Sequence, residues 1–315
     1  MTSSPRVLAL SGGVGGARLA AGLARVLAPE ALTIAVNVGD DFEHLGLTIC
    51  PDLDTVLYTL GGVVHRGQGW GRDQETWHTL DAMRSLGGED WFLLGDRDLA
   101  LHLVRRQLLA QGRSLSEVTQ DLSRRLDVSH RIVPVTDARL RTRVHTVADG
   151  ELGFQDYFVR RRCQPAVRAL TFEGAEEATL SPGLAEVLAD PALSAIIVCP
   201  SNPYLSVAPM LAIPALRTAL RVTHAPVIAV SPIIGGEAVK GPTAKIMREL
   251  GVEPTATVIA ELYADFVDCV VVDTCDASRV AGDPRFAVAP TWMRNDDDRF
   301  ALAQACLDLA RQRKG

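Results

Sequence analysis

Polar and apolar positions along the chain fall into a repeated unit. A short run that is apolar at nearly every position meets a turn marked by glycine or proline, and apolar residues at helical spacing follow. Residues 6–10 form the first such run. SGGVGG at 11–16 comes next, then Ala17, Leu19, Ala20, Leu23 and Val26, with Pro29 as a stop. So short and unbroken a run predicts a strand buried on both faces, and the repeat after it predicts a helix. LTIAVNV at 32–38 is rich in β-branched residues and predicts a second buried strand, so residues 6–38 read as a β-α-β unit. The same grammar resumes at ALSAIIVCPSNPYLS (192–206), APVIAVSPIIGGEAVKGPTAKIMREL (225–250) and VDCVVVD (267–273), and a last helix covers about 296–312.

The middle of the chain reads differently. The loop 39–52 is too long for a simple strand-to-helix turn, and such loops commonly carry function. A helix follows with Asp52 as its expected N-cap and Gly61 or Gly62 at its end. Another spans 74–86. Residues 91–109 repeat the opening grammar: an apolar run, Gly95, Asp96 as expected cap, then Leu99, Leu103, Val104 and Leu108 on one helical face. Ser114 and Glu117 have capping-box spacing for a helix over 114–126. The short segments RIVPV, RTRVHTV and GFQDYFVR within 131–172 predict a small antiparallel piece. The fold class expected is α/β: a Rossmann-like, doubly wound, mostly parallel sheet with a mixed helical and β insertion. Residues 1–64 and 186–315 make the nucleotide-binding core, and 65–185 the insertion.

Composition narrows the partners. The 315 residues are 47% hydrophobic, enough for a substantial core. A net charge of −6, with no basic run interleaved with aromatics, argues against nucleic acid. No apolar stretch approaches the roughly 18 residues of a membrane span, so no membrane partner is expected and a cytoplasmic location is. Six scattered cysteines, without metal-ligand spacing, read as small buried hydrophobes in a reducing compartment.

Five constellations carry candidate chemistry. Gly12, Gly13, Gly15 and Gly16, placed between a buried strand and a helix N-terminus, suit a phosphate cradle, with Arg18 adding charge one turn later. No Gly-Lys-Ser/Thr follows, and Arg18 occupies the third glycine position of a dinucleotide fingerprint, so neither of those motifs is present. Asp40, Asp41, Asp52 and Asp54 crowd one strand-exit loop. Carboxylates so close repel unless a cation joins them, and hard oxygen ligands beside a diphosphate suit Mg²⁺. Asp40 and Asp54 are the expected ligands, while Asp52 alone reads as a cap. Asp96 and Arg97 sit either at a capped helix start or beside a ligand. Ser201 and Asn202, held between two prolines, form either a plain turn or a nucleotide contact. Ser231–Gly236 with Lys240 or Lys245 offers a further phosphate contact. No histidine shows partner spacing, and Trp70 and Trp77 either stack on a flat ligand or belong to the core, the commoner place for Trp.

SGGVGGARL, NVGDD, ICPDLDTVLYTLGG, WGRDQETW, LGDRDLALHLVR, FQDYFVRRR, PSNPYLSVAPML, APVIAVSPIIGG and KGPTAK occur in one order over roughly residues 6–310. Together they resemble the 2-phospho-L-lactate transferase family of deazaflavin coenzyme biosynthesis. The resemblance implies a Mg²⁺-dependent transfer from a guanosine-diphospho donor to the ribityl hydroxyl of 7,8-didemethyl-8-hydroxy-5-deazariboflavin. GMP is released on the route to coenzyme F-420. It also implies a Rossmann-like core and a homodimer, with the insertion contributing to the acceptor site and the dimer. The family's metal aspartates fall on Asp40 and Asp54, its diphosphate cradle on the glycine loop, and its nucleotide-side loop on Ser201 and Asn202. Asp41 or Asp54 is the candidate base for the attacking hydroxyl. Archaeal members carry a lysine where this chain has Leu94, so any polar contact from that side chain is absent. Whether the donor carries lactate, enolpyruvate or glycerate is not set by these motifs. A non-catalytic nucleotide- or sugar-nucleotide-binding regulator on the same core is the alternative from another class.

Overall fold

A computed structural model describes residues 5–238 and 241–313. Strand β1 (Arg6–Ser11) leads into α1 (Gly13–Val26) and β2 (Leu32–Val36), and the hairpin β3 (Phe42–His44) and β4 (Leu47–Ile49) precedes α2 (Pro51–Leu60). Helices α3 (His78–Ser85), α4 (Asp96–Ala110) and α5 (Leu115–Arg125) run to β5 (Arg131–Pro134). A three-stranded antiparallel sheet follows, from β6 (Arg141–Thr146), β7 (Glu151–Gly153) and β8 (Val167–Glu173), with a π-helical turn at Asp156–Arg160. Helix α6 (Pro182–Leu188) then returns to β9 (Leu193–Val198), α7 (Ala208–Leu211), α8 (Pro214–Val222) and β10 (Val227–Val230). The short pair β11 (Ile233–Ile234) and β12 (Glu237–Ala238), helices α9 (Thr243–Glu249) and α10 (Ala256–Leu262), strands β13 (Cys269–Val272) and β14 (Phe286–Val288), and α11 (Asp296–Arg313) complete the chain.

The central sheet has seven strands in the order β5-β2-β1-β9-β10-β13-β14, all parallel. Strands β2, β10 and β13 are buried at every position, as the unbroken apolar runs require of strands covered on both faces. Helix α1 lies between α2 and α11. It approaches α11 so closely that a Cβ at Gly22 would stand 2.3 Å from the Arg299 carbonyl oxygen, which only glycine avoids. From β1 the chain winds outward to β2 and β5, then returns on the other side at β9. The carboxyl ends of β1 and β9 therefore diverge, and doubly wound sheets hold their ligands at that switch point.

Four local expectations are corrected. RIVP at 131–134 pairs in parallel register with residues 33–36 and closes one edge of the core sheet, so it is not part of the antiparallel piece. GFQDYFVR leaves β7 at Gly153 and turns π-helical. The apolar run at 91–94 forms no strand: Leu94 packs beside Leu47 and Ile49, with Phe92 against them, as a satellite core under the β3–β4 hairpin. Helix α4 buries Leu101, His102, Arg105 and Leu108, while Leu103 is half exposed.

Helices α3 and α4 cap each other. The Asp96 carboxylate accepts from the Thr76 hydroxyl and from the His78 and Thr79 amides, at 2.6, 3.0 and 3.0 Å, and so closes α3 rather than its own helix. Glu75 accepts from the Arg97 and Asp98 amides, both at 2.8 Å, and closes α4. Ser114 and Glu117 form the expected capping box. Among the described residues no single helix is long and apolar enough to cross a membrane.

Candidate active site

A cavity of about 400 Å³ opens along the carboxyl ends of β1, β2, β9 and β10. Gly12, Gly13, Gly15 and Arg18 line it from the first strand-helix junction, Asp40 from the loop after β2, Asp52 and Asp54 from α2, and Ser201 and Asn202 from the loop after β9. The two halves of the central sheet thus meet where the topology predicts a ligand.

The glycines are set first by packing. A Cβ at Gly15 would lie 2.3 Å from the Pro200 carbonyl oxygen, and one at Gly12 would lie 2.5 Å from Cβ of Ser206. Gly13 has φ +62°, a left-handed conformation that glycine adopts without strain. The loop is held by side chains from elsewhere: the Gly12 amide donates to Ser201 Oγ at 3.2 Å, and the Gly13 amide to Asp52 Oδ1 at 2.6 Å. Gly16, expected in the cradle, lies behind the wall against Ser11 and Ser201. Asn202 spends its side-chain oxygen on the Tyr204 and Leu205 amides. Asn202 lines the cavity.

The aspartates separate into distinct roles. Asn37 bonds the Gly39 amide through Oδ1, and its Nδ2 donates to Asp40 at 3.3 Å and to Asp52 at 3.0 Å. That single amide draws two buried carboxylates together. Burial pushes the Asp40 pKa well above the usual carboxylate range, and the charges of Asp52 and Asp41 push it further. Burial also raises Asp52 to about 6, against the bonds from Asn37 and Gly13. Asp52 therefore does not cap α2; it bolts the glycine loop to the carboxylate cluster. Asp41, one of the two candidate bases, is buried behind the cavity wall beside Cys50, and that burial raises it to about 8.

Asp54 faces the cavity but is already charge-matched. Arg105, 1% exposed, reaches it with two guanidinium nitrogens, Nη2 to Oδ1 and Nη1 to Oδ2, the latter at 3.1 Å. Arg105 Nη1 also lies 3.0 Å from His102 Nδ1. A guanidinium has only donors, so Nδ1 accepts and the histidine carries its proton on Nε2, which faces Asp98 Oδ1 at 3.4 Å. Asp98 accepts from the Tyr58 hydroxyl at 2.5 Å. A polar row, Asp54–Arg105–His102 and then Asp98–Tyr58, thus runs along one wall, with His102 Nε2 near Asp98 but not hydrogen-bonded to it, and sequence reasoning missed four of its five members. The available signal was polar Asp98, His102 and Arg105 at helical spacing among the buried Leu101 and Leu108.

Beyond this row the cavity turns aromatic, with Trp70, Phe92, Phe154 and Phe158 from the insertion. Asp98 is in the wall there; Asp96 and Arg97 are not, Asp96 being committed to its cap. Leu94 is buried in the satellite core. Trp77 is exposed outside the cavity. Lys245 is tied to Glu249 at 2.5 Å and to the Pro165 carbonyl at 3.0 Å, away from the cavity, and Lys240 lies outside the described residues. Arg18 donates to the Met293 carbonyl at 3.1 Å, and its Nε is buried without a partner. All six cysteines are free.

The profile of the family described as 2-phospho-L-lactate transferase CofD matches residues 7–298. The phosphoenolpyruvate transferase of Kitasatospora aureofaciens is 41% identical over 318 residues, with 98% of each chain covered. That of Streptomyces coelicolor is 41% identical over 317 residues, again with 98% of each covered. That of Mycolicibacterium smegmatis is 38% identical over 325 residues, covering 97% of this chain and 98% of the relative. Among solved structures, protein BH3568 from Bacillus halodurans superposes with a TM-score of 0.61 at 14% identity, covering 97% of this chain and 100% of that one, a likeness of fold alone. The chain belongs to the 2-phospho-L-lactate transferase CofD family.

Proposed function

We propose that this chain moves a 2-phospho-L-lactate, phosphoenolpyruvate or phosphoglycerate-type group from a guanosine-diphospho donor to the ribityl hydroxyl of 7,8-didemethyl-8-hydroxy-5-deazariboflavin. GMP would be released in coenzyme F-420 biosynthesis. The observation that carries the reading is the meeting, in one cavity, of the glycine loop, the buried Asp40–Asp52 pair and an aromatic chamber. Such transfer needs charge neutralisation and in-line placement more than covalent help. The glycine loop and Arg18 suit the donor's diphosphate. Trp70, Phe92, Phe154 and Phe158 suit a flat heteroaromatic acceptor.

The carboxylates fit a hard divalent cation. Two buried acids share one amide donor, and the Asp52 charge raises the proton affinity of Asp40, which a cation would reverse. Asp40 would hold Mg²⁺ with one further carboxylate, Asp52 or Asp54, the latter through the lone pairs that Arg105 leaves. Among the described residues no group of three or more His, Cys, Asp or Glu side chains could hold a metal ion, so phosphate oxygens and water would complete the shell around one or two carboxylates. The ion would neutralise charge on the transferring phosphate. Of the two candidate bases, only Asp54 has a route to an acceptor hydroxyl in the cavity. Arg105 and His102 hold its carboxylate in place.

The phospho-acid is read by offering donors carrying lactate, enolpyruvate and glycerate separately and weighing each product by mass spectrometry. A deazariboflavin phosphodiester from at least one donor is expected. No product from any of the three would overturn the proposal.

A further inference from the structure

The cavity has two ends, and the carboxylates mark the middle. From Asp54 the polar row leads to Tyr58 and the aromatic chamber of the insertion. In the other direction Asp52 holds Gly13, Arg18 follows on the same helix, and Arg18 donates to the Met293 carbonyl. A donor whose diphosphate lies on the glycine loop and whose reacting end points to Asp40 has its nucleoside on the Met293 side.

That side ends in Trp292. Its neighbours are pinned. The Thr291 amide and hydroxyl both donate to Asp273 Oδ2, at 2.8 and 3.2 Å, and Met293 is buried beneath the Arg18 bond. Between two fixed residues the indole is 55% exposed, yet it lines the cavity. The Arg294 guanidinium stands 6.0 Å over the ring and is itself held by Asp298; it does not line the cavity. One face of the indole is therefore backed by a cation, while the residue is exposed and lines the cavity.

We propose that Trp292 is the stacking platform for the purine base of the nucleoside diphosphate donor, an inference that rests on the donor reading above. An aromatic face stacks on any base, so Trp292 supplies affinity, not discrimination among purines.

The test is calorimetric titration of the full chain with GDP alone and with inorganic pyrophosphate alone, for the native protein, Trp292→Ala and Trp292→Phe. Trp292→Ala should weaken GDP about ten-fold or more, Trp292→Phe should keep most of the affinity, and pyrophosphate should bind all three alike. Equal GDP affinity in native protein and Trp292→Ala would overturn the inference while leaving the transferase reading intact. A parallel loss of pyrophosphate affinity would overturn it too, by showing that Trp292 only shapes the loop. Failure of the native protein to bind GDP would instead remove the donor reading and this inference with it.

Discussion

Asp54 and Arg105, 51 positions apart, form an ion pair with side-chain exposures of only 7% and 1% at the edge of the cavity. The pair fixes α4 against the first turn of α2, and so fixes the insertion against the core. Arg105→Met would leave a buried carboxylate without its partner, a loss of about 3–5 kcal/mol. Asp54→Leu added to Arg105→Met should recover most of that loss. Urea midpoints at unchanged slope measure both, and an undiminished midpoint in Arg105→Met would contradict the role.

Asp40 is expected to matter for turnover and little for folding. Asp40→Asn keeps the shape and removes a buried charge that its neighbours already disfavour. Activity should fall about 100-fold or more, with the melting temperature held or raised. A variant that unfolds instead would mark Asp40 as structural.

Gly15→Ala places a methyl 2.3 Å from the Pro200 carbonyl oxygen, so the loops after β1 and β9 must part. An overpacking cost of about 1–3 kcal/mol is expected, together with weakened GDP binding read by titration. Unchanged GDP affinity would show that the glycine loop does not bear on the donor.

Asp273 supplies a pH signature. Burial pushes its carboxyl up, but the bonds from Thr291 and Cys275 outweigh burial and hold it below the usual range. The native state thus binds fewer protons than the unfolded chain, which titrates near about 3.9. Its contribution is complete above that value and disappears as pH falls through the folded one. Asp273→Asn should be less stable than the native protein at neutral pH, with the gap narrowing under acid. A gap independent of pH in denaturation curves would contradict this linkage.

The parallel core was legible because strands buried on both faces are apolar at nearly every position: in LTIAV of β2 only Thr33 is polar, and CVVV of β13 has no polar residue. RIVP was not assigned to the core because an edge strand of four residues carries too little pattern to separate it from the antiparallel segments beside it. The candidate site was legible where chemistry is local, in Gly12–Gly15 and in Asp40. It was opaque where partners are distant. Asp52 reads as a cap until Gly13 and Asn37 are seen to bond it, and Asp96 caps a helix that begins 18 positions earlier. Arg105 and His102 look like a solvated helical face until burial against α2 is known.

The transferase reading meets its most direct test in GMP release by the purified full chain given Mg²⁺ and a guanosine-diphospho-acid donor. Release should depend on 7,8-didemethyl-8-hydroxy-5-deazariboflavin, matching phosphodiester formed one for one. GMP released at the same rate without the acceptor, or no GMP with both substrates present, would contradict it.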